Sequence, residues 1–146
     1  MTSLNPVRRI SAVALLAVGF GLGAAYSTTV AQAQVANRVF ELRTYTAPEG
    51  KLPDLNARFR NHTMRIFQKH GMSNVGYWVP QDAPLKDNTL VYIISHASRD
   101  AAKKSWADFG ADPEWKKVSA ESQVNGRIVT TVASVFMDPT DYSPIK

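Results

Sequence analysis

Alternation with a period of two runs through residues 39–46, setting Phe40, Leu42 and Thr44 against Glu41, Arg43 and Tyr45. That pattern predicts a strand with one face for a core and the other charged and amphipathic. Pro48-Glu49-Gly50 then reads as a turn. Over 51–70 the period changes, and Leu52, Leu55, Phe59, Ile66 and Phe67 recur at helical spacing, with His62 and Thr63 filling the gap in the stripe. Pro53 suits a first turn and Gly71 a helix C-cap, while Asn56, Arg58, Arg60, Asn61 and Arg65 form the face expected to be wet. A second strand is predicted over 73–79, with Val75, Tyr77 and Val79 opposite Asn74, Gly76 and Trp78. Two prolines and several polar residues make 80–88 a loop, and the β-branched run over 89–96 is a third strand, placed to pair antiparallel with the second.

Ser98 is a good N-cap for a helix over 99–109 that turns Ala102, Trp106 and Phe109 inward and stops at Gly110. Asp112-Pro113 restarts a helix with Trp115 and Val118 inward, 123–126 breaks it, and 127–137 is a long fourth strand apolar on both faces. The order β-α-β-β-α-β, with its second helix split, predicts an α+β, ferredoxin-like fold: a four-stranded antiparallel sheet with helices on one face. The other face needs a cover, because strand four would otherwise expose a large apolar patch. A second copy is the simplest cover, giving a dimeric α/β barrel across a twofold axis.

The chain before residue 34 does not fit this domain. Arg8 and Arg9 precede an uncharged apolar run, 10–25, followed by Ala31-Gln32-Ala33. That order is the signature of a secretory signal peptide, so 1–33 is expected to be cleaved and 34–146 to be the mature domain. A retained membrane anchor is the other reading, opposed by Gly19, Gly21 and Gly23 inside the run. The paired arginines also raise twin-arginine export, although Ile10-Ser11-Ala12 matches that signal poorly. Either route predicts an exported, periplasmic or secreted protein with no stable membrane span after cleavage.

Removing 1–33 takes away two of the 17 basic residues and none of the 12 acidic ones, which brings the net charge to about +3. The basic pairs Lys103-Lys104 and Lys116-Lys117 sit in helical patterns where a solvated face accounts for them, so nucleic-acid binding is not expected. With no cysteine, thiol catalysis and thiolate metal sites are excluded, and the domain must rest on its core alone.

The strand Glu41-Leu42-Arg43-Thr44-Tyr45-Thr46 with Gly50-Lys51-Leu52, the helix end His70-Gly71-Met72, and Val75-Gly76-Tyr77-Trp78 together resemble the NIPSNAP domain. Leu90-Val91-Tyr92, Trp106, Asp112-Pro113-Glu114-Trp115 and the tail Pro139-Thr140-Asp141-Tyr142-Ser143-Pro144 extend the resemblance over essentially all of 38–146. The resemblance implies the dimeric α/β barrel superfamily, in agreement with the topology. It implies little about activity, since that superfamily includes cofactor-independent monooxygenases, haem-degrading proteins and isomerases.

His62 lies on the stripe that should face the sheet, where it could act as a general base or ligand anchor, or be a core histidine satisfied by its neighbours. Glu41, Arg43 and Tyr45 suit either a site for a substrate carboxylate or an ion-paired row at the dimer interface, and the second is read first, because an unpaired charge directed into a barrel is costly. Tyr77, Trp106, Tyr45 and Trp78 are the candidates for lining an apolar pocket. His62, His70 and His96 lack the i, i+4 spacing of helical zinc sites, so neither a metal nor a cofactor is expected. Haem on a single histidine stays open, because one axial ligand has no spacing to test. Three functions fit: a homodimer that binds a small apolar or aromatic molecule, a cofactor-independent monooxygenase or isomerase with His62 as base, and an interaction module without a pocket.

Overall fold

Eight residues of alternating sequence form β1 (Val39–Thr46) at the expected bounds, in a computed structural model that describes residues 38–146. The expected signal segment 1–33 lies outside the described residues. After the turn at Gly50 the helical pattern becomes α1 (Leu52–Arg58), a single π turn (Phe59–Thr63) and α2 (Met64–Lys69). Gly71, in the left-handed conformation at φ +77°, closes α2 as expected of a C-cap glycine. Then come β2 (Ser73–Trp78), a short 3₁₀ turn (Leu85–Asp87) and β3 (Thr89–His96). The second half is α3 (Arg99–Ala111), α4 (Pro113–Glu121) and β4 (Thr131–Met137).

The four strands form one antiparallel sheet in the order β2-β3-β1-β4, the ferredoxin-like arrangement that the element order predicts. Ser98 caps α3 by accepting from the Ala101 N–H at 3.1 Å, and Asp112 caps α4 by accepting from the Glu114 N–H at 2.8 Å. The expected stop at Gly110 is not where α3 ends. The helix runs on to Ala111, and Pro113 forces the preceding Asp112 into extended backbone, φ −60° and ψ 122°, which terminates it.

Between the helices and the sheet, Leu55, Phe59, Ile66, Phe67, Tyr92, Ile94 and Phe109 form the buried core. Burying each large side chain of this kind contributes about 1.5–3 kcal/mol against exposure. The register decides which residues face this core. Glu41 lies opposite Ile94 and Phe136, and Arg43 opposite Tyr92 and Ser134, so the charged row of β1 points at the helices. This reverses the expected faces, since Phe40, Leu42 and Thr44 point outward. Glu41 and Arg43 are therefore not on the surface offered to a second copy.

A bulge in β2 also breaks the simple alternation. Asn74 pairs with Ile94 and Gly76 with Ile93, leaving Val75 as the extra residue. Asn74 thereby shares the helix side with Tyr77, whose hydroxyl donates to Asn74 Oδ1 at 2.5 Å, and Val75 faces outward. The outer face carries Val75, Ile93 and Met137, and the C-terminal residues Pro139 and Ile145 return beside Phe40 to enclose an apolar cleft of about 280 Å³. Val135, opposite Leu42 in register, is 56% exposed.

Candidate functional site

Three of the four expected pocket residues meet in one aromatic layer beneath α1 and α2. Tyr77 stacks on Tyr92 with ring centroids 5.3 Å apart, and Tyr45 meets both Tyr92 and Phe59 edge-on at 5.3 and 5.8 Å. Trp106 joins through Phe67 at 5.4 Å. Burial pushes the Tyr77 and Tyr92 phenols upward, so both stay protonated at neutral pH. Trp78 stands apart from this layer on the outer side of the sheet, 52% exposed, with its ring folded across Gly76.

Where β2 leaves the sheet, Phe59, Met64, Tyr77, Trp78, Val79 and Leu90 line a cleft of about 470 Å³, with Asn56 and Arg60 also in its wall. Apolar and aromatic side chains make up most of its wall while polar groups share its exposed surface, and its size is that of a small-molecule site. Tyr77 and Trp78 thus share a cleft although their side chains leave opposite faces of the strand.

His62 is placed elsewhere. Its side chain is exposed rather than turned toward the sheet, and it lines a separate cleft of about 340 Å³ between α1 and the C-terminal end of α4. The π turn is the physical reason. The Met64 N–H donates to the Phe59 carbonyl five residues back, so the chain turns less per residue there than in an α-helix. Thr63, four residues after Phe59, is carried onto the buried stripe, and His62 falls outside it. The structure brings together Tyr45, Tyr77 and Trp106 but leaves His62 in a different cleft from Tyr77 and Trp78.

The ion pair expected of Glu41 and Arg43 is present, but inside the protomer rather than at an interface, and sequence reading missed the other donors gathered around Glu41. Glu41, 1% exposed, accepts from four side chains: Arg43 at 2.5 Å and Ser134 at 2.6 Å on Oε1, Trp106 Nε1 at 2.7 Å and His96 Nε2 at 3.1 Å on Oε2. The Arg43 guanidinium lies over the Trp106 ring at 4.2 Å, fixing the indole from the other side. Burial alone would raise the Glu41 carboxyl, but the donors from His96, Ser134, Trp106 and Arg43 outweigh it and hold it at about 2. Burial likewise opposes the Arg43 charge, and Tyr45, Tyr92 and Glu41 more than restore it. A carboxylate whose lone pairs are all occupied is a clamp between β1, β3, β4 and α3, not a proton acceptor. His96, which donates through Nε2, has no partner on Nδ1 among the described residues.

The third histidine has its own role. His70 Nε2 and Lys69 Nζ both reach Asp112 Oδ2, at 2.6 and 2.8 Å, tying the end of α2 to the start of α4. Those two contacts pull the Asp112 carboxyl well below its ordinary range. The three histidines therefore serve three separate places, and no group of three or more metal-binding side chains is assembled among the described residues.

The other missed residue is Arg58, expected on the wet face but 6% exposed. It sits directly before Phe59 at the start of the π turn, with its guanidinium over the Trp115 ring at 5.1 Å. Arg58 flanks the stripe residues Leu55 and Phe59, and only the position of α4 decides that this flank is covered.

The NIPSNAP family model matches residues 40–144. Among curated proteins none matches significantly. Among solved structures, the chain is similar to a NIPSNAP family protein with unknown function from Agrobacterium tumefaciens, at 23% identity over 76% of this chain and 96% of that one, with a TM-score of 0.66. It is similar to an uncharacterized NIPSNAP-like domain protein from Burkholderia xenovorans, at 17% identity over 75% and 90% of the two chains and a TM-score of 0.65. The fold is also that of SnoaB, a cofactor-independent oxygenase from Streptomyces nogalater, at 17% identity over 75% and 99% and a TM-score of 0.51.

Proposed function

The chain belongs to the NIPSNAP family, and on that premise we propose that it is an exported homodimer whose protomers each bind a small, neutral apolar or aromatic molecule. The observation that carries this reading is the cleft of about 470 Å³ walled by Phe59, Met64, Tyr77, Trp78 and Leu90. An aromatic ligand would lie against Tyr77 and Trp78, and Asn56 and Arg60 would meet any polar substituent. The outward apolar face, with Leu42, Ile93 and Val135 on neighbouring strands, supports pairing of two copies through their sheets. Catalysis with His62 as base gains no support, because the histidine lines a different cleft from the aromatic pair.

Native mass spectrometry of protein purified from its own host compartment tests dimer and ligand together. A dimer carrying a retained small molecule is the expected result, and a monomer at micromolar concentration contradicts the sheet-to-sheet argument. Titration with 1-naphthol tests the cleft itself. Wild-type protein should show saturable quenching of tryptophan emission, and Met64→Trp, which fills the cleft from a half-buried position, should abolish the binding. Undiminished binding by Met64→Trp would remove this cleft from consideration.

A further inference from the structure

Arg58 is out of place energetically. Arg43, also largely withdrawn from solvent, rests on the Glu41 carboxylate, and the exposed Arg65 pairs with Glu114. Arg58 has no acid within ion-pair distance among the described residues. Among the described residues its one side-chain hydrogen bond is a long one, Nη1 to Ser122 Oγ at 3.4 Å, and Nε has no partner at all. Arginine does not escape the problem by losing its proton at ordinary pH. The Trp115 face offsets part of the desolvation, but a ring is a weaker counterpart than a carboxylate.

The cation is nevertheless not sealed off, since it forms part of the wall of the cleft of about 340 Å³ between α1 and the end of α4. Two acids border the same cleft and neither serves it. Asp54 is engaged by Lys51 at 3.1 Å, and Glu121 lies 3.9 Å from Lys117. Asn61, His62 and Asn125 add hydrogen-bonding groups at the mouth, while Ala57, Val118 and Val124 give the wall an apolar side.

We propose that this cleft is a binding site for a small organic monocarboxylate, with Arg58 as its counter-ion. A carboxylate presents two oxygens in the plane that a guanidinium fork matches. One negative charge suits the single uncompensated cation, and the nearby Asp54 and Glu121 would repel the second charge of a phosphate dianion. The apolar side accommodates a short alkyl or aryl body. This site is separate from the cleft of Tyr77 and Trp78, which takes a neutral ligand, so each can fail without the other.

The test is NMR titration of the full chain, following the Arg58 Nε–H and Trp115 indole N–H resonances. Hexanoate and benzoate should shift both saturably at low millimolar concentration, and hexanamide should not. Arg58→Met should weaken hexanoate binding at least about tenfold, read at Trp115, as expected for loss of a charge-assisted contact. Asn61→Asp, an exposed change that leaves the core intact, should weaken it several-fold by adding a third acid, after Asp54 and Glu121, at the cleft, and it decides the matter if Arg58→Met does not fold. The proposal is overturned by the absence of a saturable shift with either carboxylate, by equal binding of hexanamide, by preference for inorganic phosphate, or by wild-type affinity in Asn61→Asp.

Discussion

Replacing Glu41 by glutamine keeps the shape of the clamp and removes its charge. The glutamine amide can accept from only one pair of donors, so either Arg43 and Ser134 or Trp106 and His96 must face an NH₂ group. Removing one member of a buried ion pair costs about 3–5 kcal/mol, a large share of a stability of about 5–15 kcal/mol for a domain of this kind. The same carboxylate sets the acid limb. Its pKa falls from an ordinary 4.5 to about 2 on folding, which corresponds to at most about 3 kcal/mol of stability at neutral pH. Because the folded value is the lower one, the contribution is present above the ordinary value of 4.5 and is lost as pH falls through about 2, below which both states are protonated. Urea unfolding across that range should show Glu41→Gln well below wild type at neutral pH, with the gap closing as the acid titrates. Ser134→Ala, which removes one donor to the charge, should cost about 1.5–3 kcal/mol and remain folded for comparison. A Glu41→Gln protein within about 1 kcal/mol of wild type at neutral pH, or a gap indifferent to acid, would refute the clamp.

Two smaller tests address the helix junction and the cleft. Asp112→Asn retains a capping side chain for α4 but loses the charge held by Lys69 and His70, whereas Asp112→Ala loses both, so thermal unfolding should rank wild type above Asn above Ala. Equal melting of the two variants would mean that the cap contributes nothing. Gly76→Ala would drive a methyl group into the Trp78 ring, which must swing away; a shift in tryptophan emission and weaker 1-naphthol binding are expected, with little change in urea midpoint because the ring is half exposed. Unaltered 1-naphthol affinity would exclude the Trp78 ring from the ligand's surroundings.

Strand and helix positions were legible because each depends on residues close in sequence. The period-two row in β1, the caps at Ser98 and Asp112 and the Gly71 stop are local signals, and the element order they imply leads directly to the sheet topology. The faces were not legible. Three of the four donors that hold Glu41 inside come from β3, α3 and β4, 55, 65 and 93 residues away, and no window around β1 contains them. His62 failed for a subtler reason, since one five-residue backbone step rotates everything near it and no side chain near Phe59 announces that step.

The reversal of β1 changes what the dimer argument rests on. Had Glu41 and Arg43 faced outward, two copies would have been joined by ion pairs, and salt would weaken them. With the acid sealed inside by four donors, the outer face is left to Leu42, Ile93, Val135 and their neighbours, and the association it predicts is apolar. High salt should therefore leave the proposed dimer intact, while Val135→Glu, from a position now more than half exposed, should yield monomers by light scattering. A salt-labile dimer that tolerates Val135→Glu would mean that the copies meet through some other surface, and the apolar outer face would again lack a cover.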